Sequence, residues 1–242
     1  MLLSLEHVTQ RFGELAAVND LSFDVQEGEV FGMAGPNGAG KTTVFNLISG
    51  FLHGSGRIFL DGKRIDGLPP HRVTHLGVAR TFQLVQPFHS MTVAQNLRIG
   101  EYYGGKGDTV LHRVPWTDIR ELIAFVGLEG KEDRPISTLK LYDKKLTVLA
   151  SALATKPRLL MLDEALGGLS AVEAEQSLDL IRRLNKEWGL TIIMIEHLMS
   201  ALTRLCDRML VLNYGEMLCI GEPRAVVEDP AVIECLVGGK RA

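Results

Sequence analysis

Residues 29–51 read EVFGMAGPNGAGKTTVFNLISGF, and the interpretation of the whole chain turns on them. EVFGMAG, Glu29–Gly35, reads as a short strand. Gly35–Thr43, GPNGAGKTT, matches G-x-x-x-x-G-K-[ST], and a helical pattern begins at Lys41 in KTTVFNLISGFL. Strand, glycine-rich turn and helix, in that order, are the context that gives this motif its meaning. Gly35, Gly38 and Gly40 let the backbone turn tightly and point its N–H groups inward. A phosphate resting on those donors also meets the positive end of the helix dipole. Lys41 is expected to reach the β- and γ-phosphates of a nucleotide, and the Thr42 hydroxyl to ligate Mg²⁺. Pro36, Asn37, Ala39 and Thr43 complete the expected binding loop.

Downstream, RLLMLDE is an apolar run that fits a buried parallel strand ending at Asp163. Asp163 is placed to hold the Mg²⁺ shell, and Glu164 beside it to polarise an attacking water as general base. A strand ending in Asp-Glu is a weak signal alone; its place downstream of the glycine loop gives it force. Before the loop, LLSLEHVTQ and LSFDV alternate as strands, and after it RIFLDGKRI reads as a hairpin about Asp61-Gly62. Helical segments follow in TVAQNLRIG, WTDIRELIAFVG and DKKLTVLASALA, with YYGGKGD as an exposed loop between the first two. Residues 171–188 read as a helix, LTIIMIE as a strand, 197–205 as a helix and MLVLNYGEMLCIG as a hairpin. The order predicts an α/β core with a helical subdomain inserted at about residues 84–156, within one domain over 1–242.

The 242 residues carry a net charge of -3 and a pI near 6.2, which argues against a general nucleic-acid binder. Three scattered cysteines, Cys206, Cys219 and Cys235, give neither a metal-ligand spacing nor a disulfide framework, and read as buried thiols in a reducing compartment. No apolar run approaches the roughly 20 residues of a membrane-spanning helix, so any membrane role is expected to come through a partner.

With both phosphate-site motifs placed, nearly the whole chain resembles the ATPase subunit of ATP-binding cassette (ABC) transporters. That resemblance implies a P-loop NTPase, RecA-like core with an antiparallel β subdomain and the inserted helical subdomain. It implies ATP and Mg²⁺ as ligands. RTFQ, Arg80–Gln83, looks like the family's Q-loop, which implies that Gln83 touches Mg²⁺ and couples to the membrane partner. IEHLMSA looks like the switch region, implying that His197 contacts the γ-phosphate. TQRFG places Phe12 where the family stacks an aromatic ring on adenine. Within the family, GVARTFQ, MTVAQNL and DPAVIECLVGG look most like branched-chain amino acid importers, with lipopolysaccharide-export ATPases as an alternative. The importer likeness implies two permease subunits, a second ATPase subunit, identical or different, and an extracytoplasmic binding protein. It also implies a peripheral place on the cytoplasmic face of the plasma membrane. A soluble ABC ATPase of DNA repair or translation, and a small-molecule kinase, are the competing functions. The first usually adds arms or basic linkers that are not evident here, and the second leaves Gln83 and His197 as coincidences.

One motif departs from the family. Such ATPases close as dimers in which one subunit offers an L-S-G-G-Q-like signature to the nucleotide of the other. Aligned by the following helix, the signature falls on Leu139-Lys140-Leu141-Tyr142-Asp143. Leu141 and Tyr142 restrict backbone approach to phosphate where the family has glycine. Lys140 offers a point charge in place of a serine hydroxyl. Ala165 and Ser170 also stand where the family usually has Pro and Asp or Asn. The expectation is a competent P-loop site in this chain and an altered site contributed to its partner.

Overall fold

The computed structural model of the chain describes residues 1–82, 87–105 and 116–237. These divide into two compact units, Met1–Val73 with Thr191–Ala242, and Thr74–Leu190.

The first unit holds two sets of strands. β1 (Leu3–Phe12) and β2 (Leu15–Val25) form an antiparallel hairpin, and Leu3 pairs with Val25 at one end and Phe12 with Leu15 at the other. The second set begins with β3 (Val30–Ala34), whose five residues are all buried. α1 (Lys41–Ile48) follows β3 directly, and Val44, Phe45, Leu47 and Ile48 are its buried apolar face. β4 (Ser55–Leu60) then pairs antiparallel with β1, and β5 (Lys63–Arg64) with β4, giving the order β2-β1-β4-β5. The hairpin expected about Asp61-Gly62 is the β4–β5 turn, where both residues have positive φ. α2 (Pro70–His75) carries the chain out of this N-terminal segment.

The second unit opens with β6 (Val78–Arg80), a three-residue strand that the motif reading did not resolve from its loop. α3 (Val93–Tyr103) starts at a Thr92–Gln95 capping box, and α4 (Ile119–Phe125) at Asp118, which accepts two backbone N–H groups. Two side-chain acceptors satisfy donors that helix ends leave orphaned. A 3₁₀ turn, Ile136–Thr138, leads to α5 (Leu141–Ala154). β7 (Leu159–Asp163) is buried throughout and pairs parallel with β6, Arg80 standing opposite Met161. α6 (Ala171–Trp188) ends at Gly189 in the left-handed conformation that favours a C-terminal cap. Trp188 packs edge-to-face against both Trp116 and Phe125 in this unit, its centroid 4.3 Å from that of Phe125, while Trp116 and Phe125 are tilted by 30° to each other.

The chain then returns to the first unit with β8 (Thr191–Ile195), which pairs parallel with β3. α7 (Met199–Leu205) starts two residues later than the helical pattern suggested, because Leu198 keeps an extended backbone as its N-cap. β9 (Arg208–Asn213) flanks β3 on its other side, and β10 (Glu216–Gly221) folds back on β9 through Tyr214-Gly215. β3 therefore lies between two parallel neighbours, which explains why its sequence is continuously apolar. α8 (Pro223–Glu228) and α9 (Pro230–Val237) end the described chain. Among the described residues no helix is long and apolar enough to cross a membrane.

Candidate nucleotide site

In the first unit, Gly35–Thr43 occupies the turn between β3 and α1. Gly35 and Gly40 adopt φ of 143° and 102°, values that an L side chain rarely takes. A side chain at either would collide with backbone, at Gly35 with the Leu212 carbonyl oxygen and at Gly40 with that of Ala17. The loop is buttressed by the β9–β10 turn, which β2 holds in its turn. Gly215 donates its N–H to the Ala39 carbonyl at 3.0 Å, and Asn19 donates to the Gly215 carbonyl at 2.9 Å. Lys41 opens α1, is 6% exposed, and donates its Nζ to the carbonyls of Gly35 and Pro36 at 2.7 and 2.9 Å. Its ammonium is thus held over the loop, where the phosphates of a nucleotide would lie. Pro36 and Thr43 are half-buried, Ala39 is buried, and Asn37, Gly38 and Thr42 are exposed. The exposed Thr42 leaves its hydroxyl accessible at the start of the helix.

Two other expected residues belong to this unit. Phe12 ends β1 and is 49% exposed. His197 is exposed and follows β8, one residue after Glu196, which is 3% exposed. Gln83 lies outside the described residues.

In the second unit, Asp163 is the last residue of β7 and 2% exposed. Arg80, ending the neighbouring β6, donates Nη2 to Asp163 Oδ2 at 2.8 Å, and the two side chains are only 5% and 1% exposed. The reading of RTFQ passed over Arg80. The sequence carried no signal for it, since the short strand that Arg80 ends was not resolved from its loop and nothing in sequence says which strand lies alongside. Burial pulls the Arg80 guanidinium below its ordinary range, while the Asp163 carboxylate pushes it up. Arginine stays charged under any such shift. Its face also lies over the Phe82 ring, 4.8 Å from the centroid.

Glu164 has a φ of 50°, the left-handed region that costs a non-glycine residue about 1–2 kcal/mol. Strain of this kind concentrates where side-chain aim matters. The turn is secured by Gly167, which donates its N–H to the Glu164 carbonyl at 3.2 Å. It is also secured by Lys145 of α5, whose Nζ donates to the carbonyls of Glu164 and Ala165 at 3.3 and 2.9 Å.

The divergent signature forms the start of α5. Lys140 is the exposed N-cap and makes no capping hydrogen bond with its side chain. Asp143, in the first turn, accepts from Lys131 Nζ at 2.8 Å. Burial raises the Tyr142 phenol above its ordinary range, with a hydrogen bond to Ser177 working the other way. Leu141 packs on Gly168, where an added side-chain carbon would lie 3.1 Å from Leu141 Cδ2. Ser170 caps α6 in a box with Glu173, whose carboxyl is held below the usual range by the Ser170 backbone N–H and hydroxyl. The serine at that position thus has a structural use.

Within the first unit Thr42 offers a hydroxyl oxygen, and within the second Asp163 a carboxylate oxygen, both hard donors of the type that magnesium prefers.

The ABC transporter family profile matches residues 18–167. The high-affinity branched-chain amino acid transport ATP-binding protein BraF of Pseudomonas aeruginosa is 36% identical over 98% of each chain. The corresponding LivG of Escherichia coli K12 is 34% identical, again over 98% of each chain. Among solved structures, an ATP-binding cassette of an ABC transporter in its ADP conformation superposes with a TM-score of 0.86 at 31% identity, covering 98% of both chains. A nucleotide-free cassette of an ABC transporter does so equally well, with a TM-score of 0.86 at 30% identity over 97% of this chain and 98% of its own. The α/β, P-loop NTPase architecture expected from the sequence is the one these cassettes have.

Proposed function

This chain belongs to the ABC transporter family as its ATP-binding ATPase subunit, and from that premise we propose that it powers an importer of branched-chain amino acids or related small carboxylates and amides. The observation that carries the substrate class is similarity over 98% of both chains to ATPases named for that transport. The whole chain acts as one nucleotide-binding domain, with the helical stretch at about 84–156 as its insertion.

Each side chain then has a task. Phe12 stacks on adenine. Gly35–Thr43 wraps the phosphates with backbone N–H groups, and Lys41 exchanges its two loop carbonyls for phosphate oxygens. Thr42, Gln83 and Asp163 would hold a magnesium ion, which would neutralise phosphate charge. Glu164 accepts a proton from the attacking water, and His197 donates a hydrogen bond to the γ-phosphate. Catalysis is therefore a matter of positioning and electrostatics, with no covalent intermediate.

Lys140 faces the nucleotide of a second ATPase subunit, identical or different, so the site this chain completes for its partner is altered while its own is competent. Two permeases receive the work of closure, an extracytoplasmic binding protein delivers the solute, and the chain sits peripherally on the cytoplasmic face of the membrane. The test is ATP turnover by the complex copurified with its membrane partners. Glu164→Gln is expected to cut turnover at least about a hundredfold, and branched-chain amino acids to stimulate uptake into vesicles. Unchanged turnover in Glu164→Gln refutes the site assignment; uptake indifferent to every branched-chain amino acid refutes the substrate class.

A further inference from the structure

We propose that Lys145 is a positioning residue that holds Glu164 in its productive backbone conformation and ties it to the signature turn of the same chain. The inference rests on the reading of Glu164 as general base.

Four observations within the second unit converge. Glu164 keeps a left-handed backbone with a φ of 50° although it carries a side chain. A single ammonium, Lys145 Nζ, is hydrogen-bonded to the carbonyls of both Glu164 and Ala165. A charged donor bridging two consecutive carbonyls fixes the orientation of the peptide plane between them, and charge-assisted bonds are the strong ones. Lys145 lies one turn along α5 from Leu141, and Leu141 packs on Gly168 at the far end of the same loop. Finally, the first turn of α5 is itself anchored, through Asp143 to Lys131.

The loop 164–168 is consequently gripped by α5 at two points, one polar and one apolar. α5 begins at the residues that align with the signature. Any tilt of that helix on engaging a partner's nucleotide displaces Lys145, and with it the carbonyl of Glu164. The two half-sites contributed by one chain are thereby coupled through the contacts of α5 with this loop, of which Lys145 supplies the polar one: the face the chain shows its partner sets the aim of its own base. Nothing local in the sequence marks Lys145, because its acceptors are backbone atoms about 20 residues away.

The experiment uses the full chain in the complex copurified with its membrane partners. Lys145→Met keeps the stem and removes the donors; Lys145→Arg restores them. The expected result for Lys145→Met is a kcat lowered about tenfold to a hundredfold, with KM for ATP and the affinity for a fluorescent ATP analogue within twofold of the parent. Lys145→Arg is expected to recover most of the loss. Amide hydrogen exchange of residues 164–168 should quicken in Lys145→Met, a readout independent of turnover. In a Glu164→Gln background, Lys145→Met should change the residual rate less than twofold, since a side chain acting through Glu164 has nothing left to aim. A loss of equal size in that background overturns the proposal, as does a fall in nucleotide affinity matching the fall in kcat, or exchange at 164–168 that does not change. If Glu164→Gln alone leaves turnover intact, it is the reading of Glu164 that fails. If Glu164→Gln abolishes turnover and Lys145→Met is silent, only the role of Lys145 fails.

Discussion

Replacing Arg80 with methionine removes one half of an ion pair whose side chains are 5% and 1% exposed. The methionine fills much of the same volume, so the loss is chiefly electrostatic. The carboxylate of Asp163 remains, sealed at the end of β7, without its guanidinium. Breaking a buried pair from one side costs about 3–5 kcal/mol, because the remaining charge keeps its desolvation penalty. A protein of this size loses about 2–4 °C of melting temperature per kcal/mol. Arg80→Met should therefore melt about 6–20 °C below the parent in magnesium-free, nucleotide-free buffer. Asp163→Asn should be destabilising for the mirror-image reason. The double variant Arg80→Met/Asp163→Asn should be less harmed than the two losses added together, with a coupling toward the upper end of about 0.5–3 kcal/mol. Thermal unfolding followed by circular dichroism, on all four proteins, measures each quantity. A drop under about 2 °C for Arg80→Met would mean that water screens the pair, and strictly additive losses that the two side chains do not depend on each other.

Three further outcomes are expected. Gly40→Ala forces a side chain against the Ala17 carbonyl in a backbone at φ 102°, and strain of about 1–3 kcal/mol should weaken ATP binding about 5–150-fold in a fluorescence titration; affinity within twofold of the parent contradicts the close fit. Asp66 accepts from Arg64 and from the Ile58 N–H, and these contacts hold its carboxyl below the usual aspartate range. Its contribution is thus present at neutral pH and lost as pH falls through the folded value, so the stability gap between parent and Asp66→Asn should close on acidification from pH 7 to pH 3; a gap that widens reverses the sign. The Cys206 thiol is pushed well above its ordinary range by burial, and a methyl at Gly32 would lie 2.9 Å from its sulfur. Alkylation at pH 8, mapped by mass spectrometry, should be at least about tenfold slower at Cys206 in the folded chain than in urea; equal rates would show that the thiol is open to solvent.

The phosphate loop was legible because its information is local. Glycine spacing, an apolar strand before it and a helical period after it all fall within Glu29–Phe51. The β9–β10 hairpin was legible for a similar reason, since Tyr214-Gly215 supplies the positive φ that the turn needs. Arg80 and Lys145 were hidden because their meaning depends on neighbours remote in sequence, Asp163 for one and the Glu164 and Ala165 carbonyls for the other. Neither cation can be assigned a partner until the neighbouring element is placed. Ser170 looked like a departure from a family pattern, and geometry gives it a capping duty with Glu173. The start of α7 slipped by two residues because periodicity cannot tell an extended N-cap, Leu198, from a helical first turn.

The hydrogen bonds from Gly215 to Ala39 and from Asn19 to Gly215 have a consequence for biosynthesis. The loop at residues 35–43 is complete only when a turn about 170 residues further along has arrived, and β3 gains its two parallel neighbours only with β8 and β9. At translation rates of about 5–20 residues per second, that interval is about 10–35 s. During it the glycine motif has left the ribosome without its buttress, and the nascent chain has no finished cradle in which to hold nucleotide. The surroundings of a loop made near the beginning are completed only by the last strands of the first unit.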